Sequence, residues 1–209
     1  MKLKPPRSPF ALILLAALAA SLSMAGVVTV EVKTKSGSSA EDTLIILDPL
    51  DTTAAPSHES AIIDQINKRF APRVSVVRTG TSVAFPNSDH IRHQVYSFSD
   101  PKPFTLKLYA GSPKADVVFD KPGLVILGCN IHDTMVAFVG IVDSPYFAKM
   151  SSTGTSILDL PPGRYRVRVW HPSLVAPLPP REITVSAAPA TLPLMVDLDA
   201  TRDVLAPWP

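Results

Sequence analysis

Hydrophobic and polar positions alternate in short runs along most of this chain. Residues 27–32 alternate strictly until the polar stretch 33–38 breaks the pattern, and 43–48 is a second apolar run ended by Pro49. A period of two places successive side chains on opposite faces, the mark of half-buried strands. Residues 51–60 read as loop. The segment 57–70 is ambiguous: Ser57 can cap a short helix, while β-branched Ile62, Ile63 and Ile66 suit a strand equally well. From Pro72 the pattern is firmly β, with runs at 74–78, 82–86, 93–98, 104–109 and 116–119 separated by turn residues. Residues 120–123 (Asp-Lys-Pro-Gly) form a turn, 124–127 is a continuous apolar run of the kind covered on both faces, and 137–142 closes the block. The last third adds strands at 155–160, 165–170, 181–186 and 192–198, with a turn at Pro161-Pro162-Gly163. Strands about ten residues apart with turns between them predict an antiparallel, all-β sandwich. The 22 prolines fall mostly in the breaks, where they protect strand edges.

The first residues follow a different pattern. Lys2, Lys4 and Arg7 precede an apolar run over 10–22, and Ser23-Met24-Ala25 supplies small residues for cleavage. This predicts a signal peptide over residues 1–25 and export through the Sec pathway to the periplasm. The run is short for a membrane span, no later stretch is long enough for one, and no cysteine stands near the cut to carry a lipid. Removing three basic residues takes the formal net charge from +2 to −1, so the basic character belongs largely to the leader. The remainder has no basic stripe of the kind nucleic acid requires. With 209 residues the chain has room for one large or two small domains.

Export changes the meaning of the single cysteine. Cys129 cannot form an internal disulfide. In an oxidising compartment it is a buried inert thiol, an intermolecular link, a nucleophile or a metal ligand. Its neighbours favour the last, because Cys129-Asn130-Ile131-His132-Asp133-Thr134-Met135 sets a thiolate, an imidazole and a thioether on one short loop. Two histidines and a cysteine in a plane, with a long weak bond to methionine, make a blue-copper site. The second histidine is expected from an earlier strand. His93, at the start of 93–98, is favoured over His90, which reads as an exposed turn residue. His58 and His171 read as surface or core histidines, and Met150 and Met195 as packing residues. Zinc fits less well, since methionine is a poor zinc ligand. A cysteine hydrolase would need a base, an orienting group and an oxyanion hole, and His132 on the same loop suits that poorly. With no Gly-rich phosphate loop and no paired carboxylates, the chain is not expected to be an enzyme.

Phe85-Pro86-Asn87, His93-Gln94-Val95, Lys121-Pro122-Gly123 and the 129–135 loop together resemble the cupredoxins over roughly 70–143. The C-x-x-H-x-x-M spacing is most similar to amicyanin, the short-loop blue copper protein of methylamine oxidation; plastocyanin and pseudoazurin are similar in order with longer spacings. The resemblance implies one type 1 copper ion with His93, Cys129 and His132 as equatorial ligands and Met135 as the axial one. Gln94 stands where many members have asparagine, and no glycine closely follows Met135.

A second resemblance covers the remainder. Gly37, the run 43–48, Thr153-Gly154 and Leu160-Pro161-Pro162-Gly163-Arg164-Tyr165 are similar to carboxypeptidase regulatory-like (transthyretin-like) β-sandwiches. The expected organisation is therefore a cupredoxin-like Greek-key sandwich, 60–143, inserted into a small discontinuous sandwich made of 26–50 plus 144–200. Strand 27–32 should then pair with strands beyond Ser144.

These readings imply a single-electron carrier serving a redox partner such as a c-type cytochrome or a periplasmic dehydrogenase. The alternatives are a carrier or sensor that holds Cu(I), and a β-sandwich scaffold with a vestigial metal site. In the resembled family the electron leaves through the loop histidine. That places the exit at His132, flanked here by Ile131, Val136 and the segment Pro101-Lys102-Pro103.

Overall fold

The computed structural model describes residues 25–199, 201, 203, 205 and 207–209; the expected signal peptide lies outside these residues apart from Ala25. The fold is all-β, with no helix among the described residues. In chain order the strands are β1 (Gly26–Thr34), β2 (Leu44–Pro49), β3 (Ser60–Ile62), β4 (Asp64–Ile66), β5 (Arg69–Ala71), β6 (Val74–Arg78), β7 (Thr81–Ala84), β8 (His93–Ser97) and β9 (Phe104–Tyr109). They continue as β10 (Val117–Phe119), β11 (Gly123–Gly128), β12 (Val136–Val142), β13 (Phe147–Lys149), β14 (Thr155–Leu160), β15 (Gly163–Trp170), β16 (Arg181–Val185) and β17 (Ala190–Val196).

Among the described residues, four of the five sheets stack on three apolar layers, the fifth being the two-stranded β4-β5 hairpin. The order β14-β1-β17 makes the first sheet and β13-β2-β15-β16 the second. Between them lie Val28, Val30 and Val32 of β1, Ile45 and Leu47 of β2, and Val167 and Val169 of β15. The third sheet, β6-β12-β11-β8-β9, faces the fourth, β10-β7-β3, across Val95, Val125, Leu127, Val139, Phe85 and Phe119. The middle layer joins the second sheet to the third: Leu44 and Ile46 of β2 and Trp170 of β15 meet Val74 and Phe138.

This stacking explains the continuous apolar runs. In β2 every residue from Leu44 to Leu47 is buried, because odd and even positions enter different layers. β11 does the same: Val125 and Leu127 face the fourth sheet, while Leu124 and Ile126 pack on the middle layer.

β1 pairs with β14 antiparallel and with β17 parallel, both beyond Ser144. β2 pairs with β13 and β15. The strands are not purely antiparallel as expected, since β1–β17, β6–β12 and β3–β7 run parallel. A chain that leaves one sheet and returns after a long excursion arrives in either direction, and hairpin spacing alone does not encode which.

Residues 57–70 contain no helix. They form β3, β4 and β5, and Ser57 Oγ accepts the Glu59 amide at 3.0 Å, closing a turn instead of capping a helix. Met195, expected to pack, is 52% exposed, whereas Met150 is in the core.

Candidate metal centre

Two strand ends build the site. β8 runs antiparallel to β11, with Gly128 opposite Tyr96, so His93 at the start of β8 reaches past the end of β11 to the loop that follows it. A Cβ on Gly128 would stand 2.7 Å from the Tyr96 ring, so glycine is what lets that ring lie over the strand end. Cys129 follows at once, and the chain turns before β12 begins at Val136. The Met135 amide donates to the His132 carbonyl at 2.9 Å, tightening this seven-residue connection. A register irregularity between His93 and Val95 marks the first residues of β8. Such bulges re-aim side chains at strand ends.

The ligating atoms of His93, Cys129 and His132 all lie within 4.8 Å of one another. Cys129 Sγ is 3.8 Å from His93 Nδ1, and the two imidazole rings stand edge-on with centroids 5.0 Å apart. His93 is fully buried, and Cys129 and Met135 are 2% and 1% exposed, both packed in the third-to-fourth sheet layer. His132 is half-buried, yet its Nδ1 is enclosed and has no hydrogen-bond partner among the described residues. Donors at about 2.0–2.3 Å from a shared metal ion stand roughly 3.5–4 Å apart. The separation of Cys129 and His93 fits that spacing, and the orphaned nitrogen of His132 is explained by an ion it would ligate.

The far side of His93 is also satisfied. Its Nε2 lies 2.7 Å from Asp89 Oδ2. Desolvation pushes the Asp89 carboxyl up, but bonds from the Lys68 amide, His93 and the Asn67 amide outweigh it and hold the group below the usual carboxylate range. Asn87 ties the adjoining loops, its Nδ2 donating to the carbonyls of Ile91 at 2.9 Å and Tyr109 at 2.8 Å. Beneath them the Tyr109 hydroxyl donates to the Phe85 carbonyl at 2.6 Å and receives Gln65 Nε2 at 2.5 Å. Burial, assisted by the charge of Asp64 and of a Cys129 thiolate, raises the Tyr109 phenol to about 12, so it stays protonated.

The structure thus brings His93, Cys129 and His132 together and places Met135 in the same apolar layer. His90 and His58 are exposed, and His171 is buried in the other half of the molecule, bonded to the Glu41 carbonyl. One expectation is overturned. Pro101 packs against Gly123, where a Cβ would meet its ring at 2.4 Å, and Gly123 is the end of β11 opposite Cys129. The segment Pro101-Lys102-Pro103 therefore does not flank His132. It belongs to the β8–β9 turn, and an antiparallel hairpin puts its turn at the end away from His93, whose partner is Tyr109. Nothing in the sequence marks the supporting residues Asp89, Gln65 and Tyr109 beyond a carboxylate four residues before His93.

No family model and no curated protein matches this sequence. Among solved structures, the chain is similar to a copper-containing nitrite reductase from Thermus scotoductus, with 23% identity over 46% of this chain and TM-score 0.39. It spans only 26% of that reductase. A purple cupredoxin from Nitrosopumilus maritimus matches with 20% identity over 39% of this chain and 98% of its own length, TM-score 0.35. A Cu(I) amicyanin variant matches with 14% identity over 46% of this chain and 97% of its own, TM-score 0.35.

Proposed function

We propose that this protein is an exported type 1 copper protein that carries single electrons between redox partners and catalyses no reaction of its own. The observation that carries the reading is the convergence of His93, Cys129 and His132, whose ligating atoms lie within 4.8 Å of one another, two of the three residues being almost fully enclosed. Sulfur and imidazole in that ratio suit copper in both its common oxidation states, and Met135 is the axial thioether. A bound copper ion supplies a one-electron couple; the protein's contribution is to hold its donors still. Cys129 is anchored by β11 and His93 by β8, so neither is free to follow a change in preferred geometry. The packed layer around Cys129 and Met135 keeps water from the sulfurs.

The proposed partner is a c-type cytochrome or a periplasmic dehydrogenase, met in the periplasm after removal of residues 1–25. Among the described residues no helix is long and apolar enough to cross a membrane. The same proposal treats 60–143 as the copper-binding unit and 26–50 plus 144–200 as a carboxypeptidase regulatory-like sandwich on which it rests.

The test is the visible spectrum of the mature protein loaded with copper. An intense thiolate-to-Cu(II) charge-transfer band, lost in Cys129→Ala, supports electron transfer. A colourless protein that binds Cu(I) alone indicates a carrier or sensor instead, and absence of copper binding indicates a scaffold with a vestigial site.

A further inference from the structure

His93 has no exposed atom, so its second ring nitrogen must be satisfied within the protein, and Asp89 Oδ2 satisfies it at 2.7 Å. Asp89 is itself held from outside the 86–93 segment. Its Oδ1 accepts the Asn67 amide at 2.7 Å and its Oδ2 the Lys68 amide at 2.8 Å. Asn67 and Lys68 are the two residues between β4 and β5, and both are left-handed, with φ of 53° and 58°. Two such residues in succession are the mark of a type I′ hairpin turn, which lysine adopts at a cost. Here the turn delivers consecutive amides to one carboxylate.

The hairpin is fastened to the loop that carries Asp89. Ser88 Oγ donates to Asp64 Oδ2 at 2.8 Å, and the Gln65 amide donates to the Pro86 carbonyl at 3.0 Å. Gln65, fully buried, adds a side-chain bond to that same carbonyl at 3.1 Å. The Asp89 amide in turn donates to Asn87 Oδ1 at 3.0 Å, fixing the backbone from which its carboxylate projects.

We propose that Asp89, clamped by the Asn67–Lys68 turn, is the positioning residue of the metal centre, fixing the His93 ring with its proton on Nε2 and its lone pair on Nδ1. The inference rests on the metal reading above and deepens it. A neutral acceptor would fix the ring equally well; an anionic one also makes the imidazole a stronger donor. A stronger nitrogen donor favours the more highly charged ion. Asp89 therefore raises affinity for Cu(II) more than for Cu(I), and biases the site toward its oxidised state.

Two variants test this, each checked by circular dichroism for an intact fold. Imidazole 15N shifts of the copper-free wild type should report a single Nε2–H tautomer for His93. Asp89→Ala should mix the tautomers and lower Cu(II) affinity about 10- to 100-fold. Asp89→Asn with its oxygen toward His93 and Lys68 gives up only the Asn67 amide bond, so it should keep the tautomer, yet still lose more Cu(II) than Cu(I) affinity. A single tautomer together with wild-type Cu(II) affinity in Asp89→Ala overturns the proposal. If Asp89→Ala does not fold, unchanged affinities for both ions in Asp89→Asn overturn it. A wild type that binds no copper defeats the metal reading instead, and the tautomer measurement then decides the positioning role by itself.

Discussion

Gly140 of β12 lies directly under the indole of Trp208: a Cβ on Gly140 would stand 2.4 Å from the ring's Cη2 and 3.0 Å from Leu44 Cδ1. Three segments distant in sequence thus share one spot in the middle layer. Trp208 also packs on Trp170 at 5.8 Å between centroids, and Arg168 Nη1 donates to the Pro209 carbonyl at 2.8 Å while its other nitrogens hold Asp48. The last residues therefore strap the second sheet to the third. Gly140→Ala should displace the indole and cost about 1–3 kcal/mol, as overpacking of a filled core does. Chemical denaturation followed by tryptophan emission reads both effects. An unchanged midpoint would mean that the strap adds nothing to stability.

His171 should make the fold sensitive to acid. It is 8% exposed; its Nδ1 accepts the Ser173 amide at 3.0 Å, and its Nε2 lies 3.0 Å from the Glu41 carbonyl. A ring accepting at one nitrogen and donating at the other is neutral. Burial lowers its pKa below 6.5, partly offset by the Glu41 carbonyl and by Asp42 and Asp203, with Arg73 acting in the same direction as burial. The unfolded chain then binds the proton more readily than the folded one. The stability contributed is complete above the unfolded value and is lost as pH falls through the folded one. His171→Gln should flatten the dependence of unfolding free energy on pH below about 6.5. An equally steep slope in the variant would assign the acid sensitivity to other groups.

Much of this molecule is legible in local pattern. Alternation locates most of the strands, though not β3 to β5 or β13, and Cys129 and His132 on one loop with His93 at a strand start are the three residues whose ligating atoms converge. What pattern does not carry is direction and distance. The parallel pairing of β1 with β17 depends on where the chain re-enters after the 60–143 excursion, and nothing in 190–196 encodes it. The expected neighbourhood of Pro101 and His132 fails for the same reason: hairpin geometry puts them at opposite ends of β11. Asp89 looked like an ordinary turn residue, since its partners at 67 and 68 act through backbone amides, which any side chain could carry.

Met135 separates two models of the site. It is 1% exposed among Cys129, Phe85 and Leu127, so leucine can fill its volume at a cost below about 1.5 kcal/mol. If the thioether is the weak axial donor, Met135→Leu should keep its copper and its charge-transfer band while the reduction potential rises, because a donor is removed. Metal analysis and voltammetry on the same sample check this. Loss of the metal would make Met135 a principal ligand and exclude the trigonal arrangement.

If the centre carries electrons as proposed, the route by which one leaves is set by which candidate ligand approaches the surface. Cys129 and His93 are enclosed, whereas His132 is half-buried and follows Ile131, which is 49% exposed. Ile91, just before His93, is 40% exposed at the same strand end. Small apolar contacts suit encounters that must end quickly after transfer. A carboxylate at 131 would have to be desolvated on docking, at a cost far above that of an isoleucine. Ile131→Glu should therefore slow electron exchange with a cytochrome partner several-fold while leaving the charge-transfer band unchanged. Phe98→Glu provides the control: this ring is 83% exposed just past the far end of β8, so its replacement should leave the rate alone. Stopped-flow kinetics of both variants against the same cytochrome compare the two faces. Slowing by Phe98→Glu with none from Ile131→Glu would move the docking face to the opposite end of the sheet and remove His132 from the path.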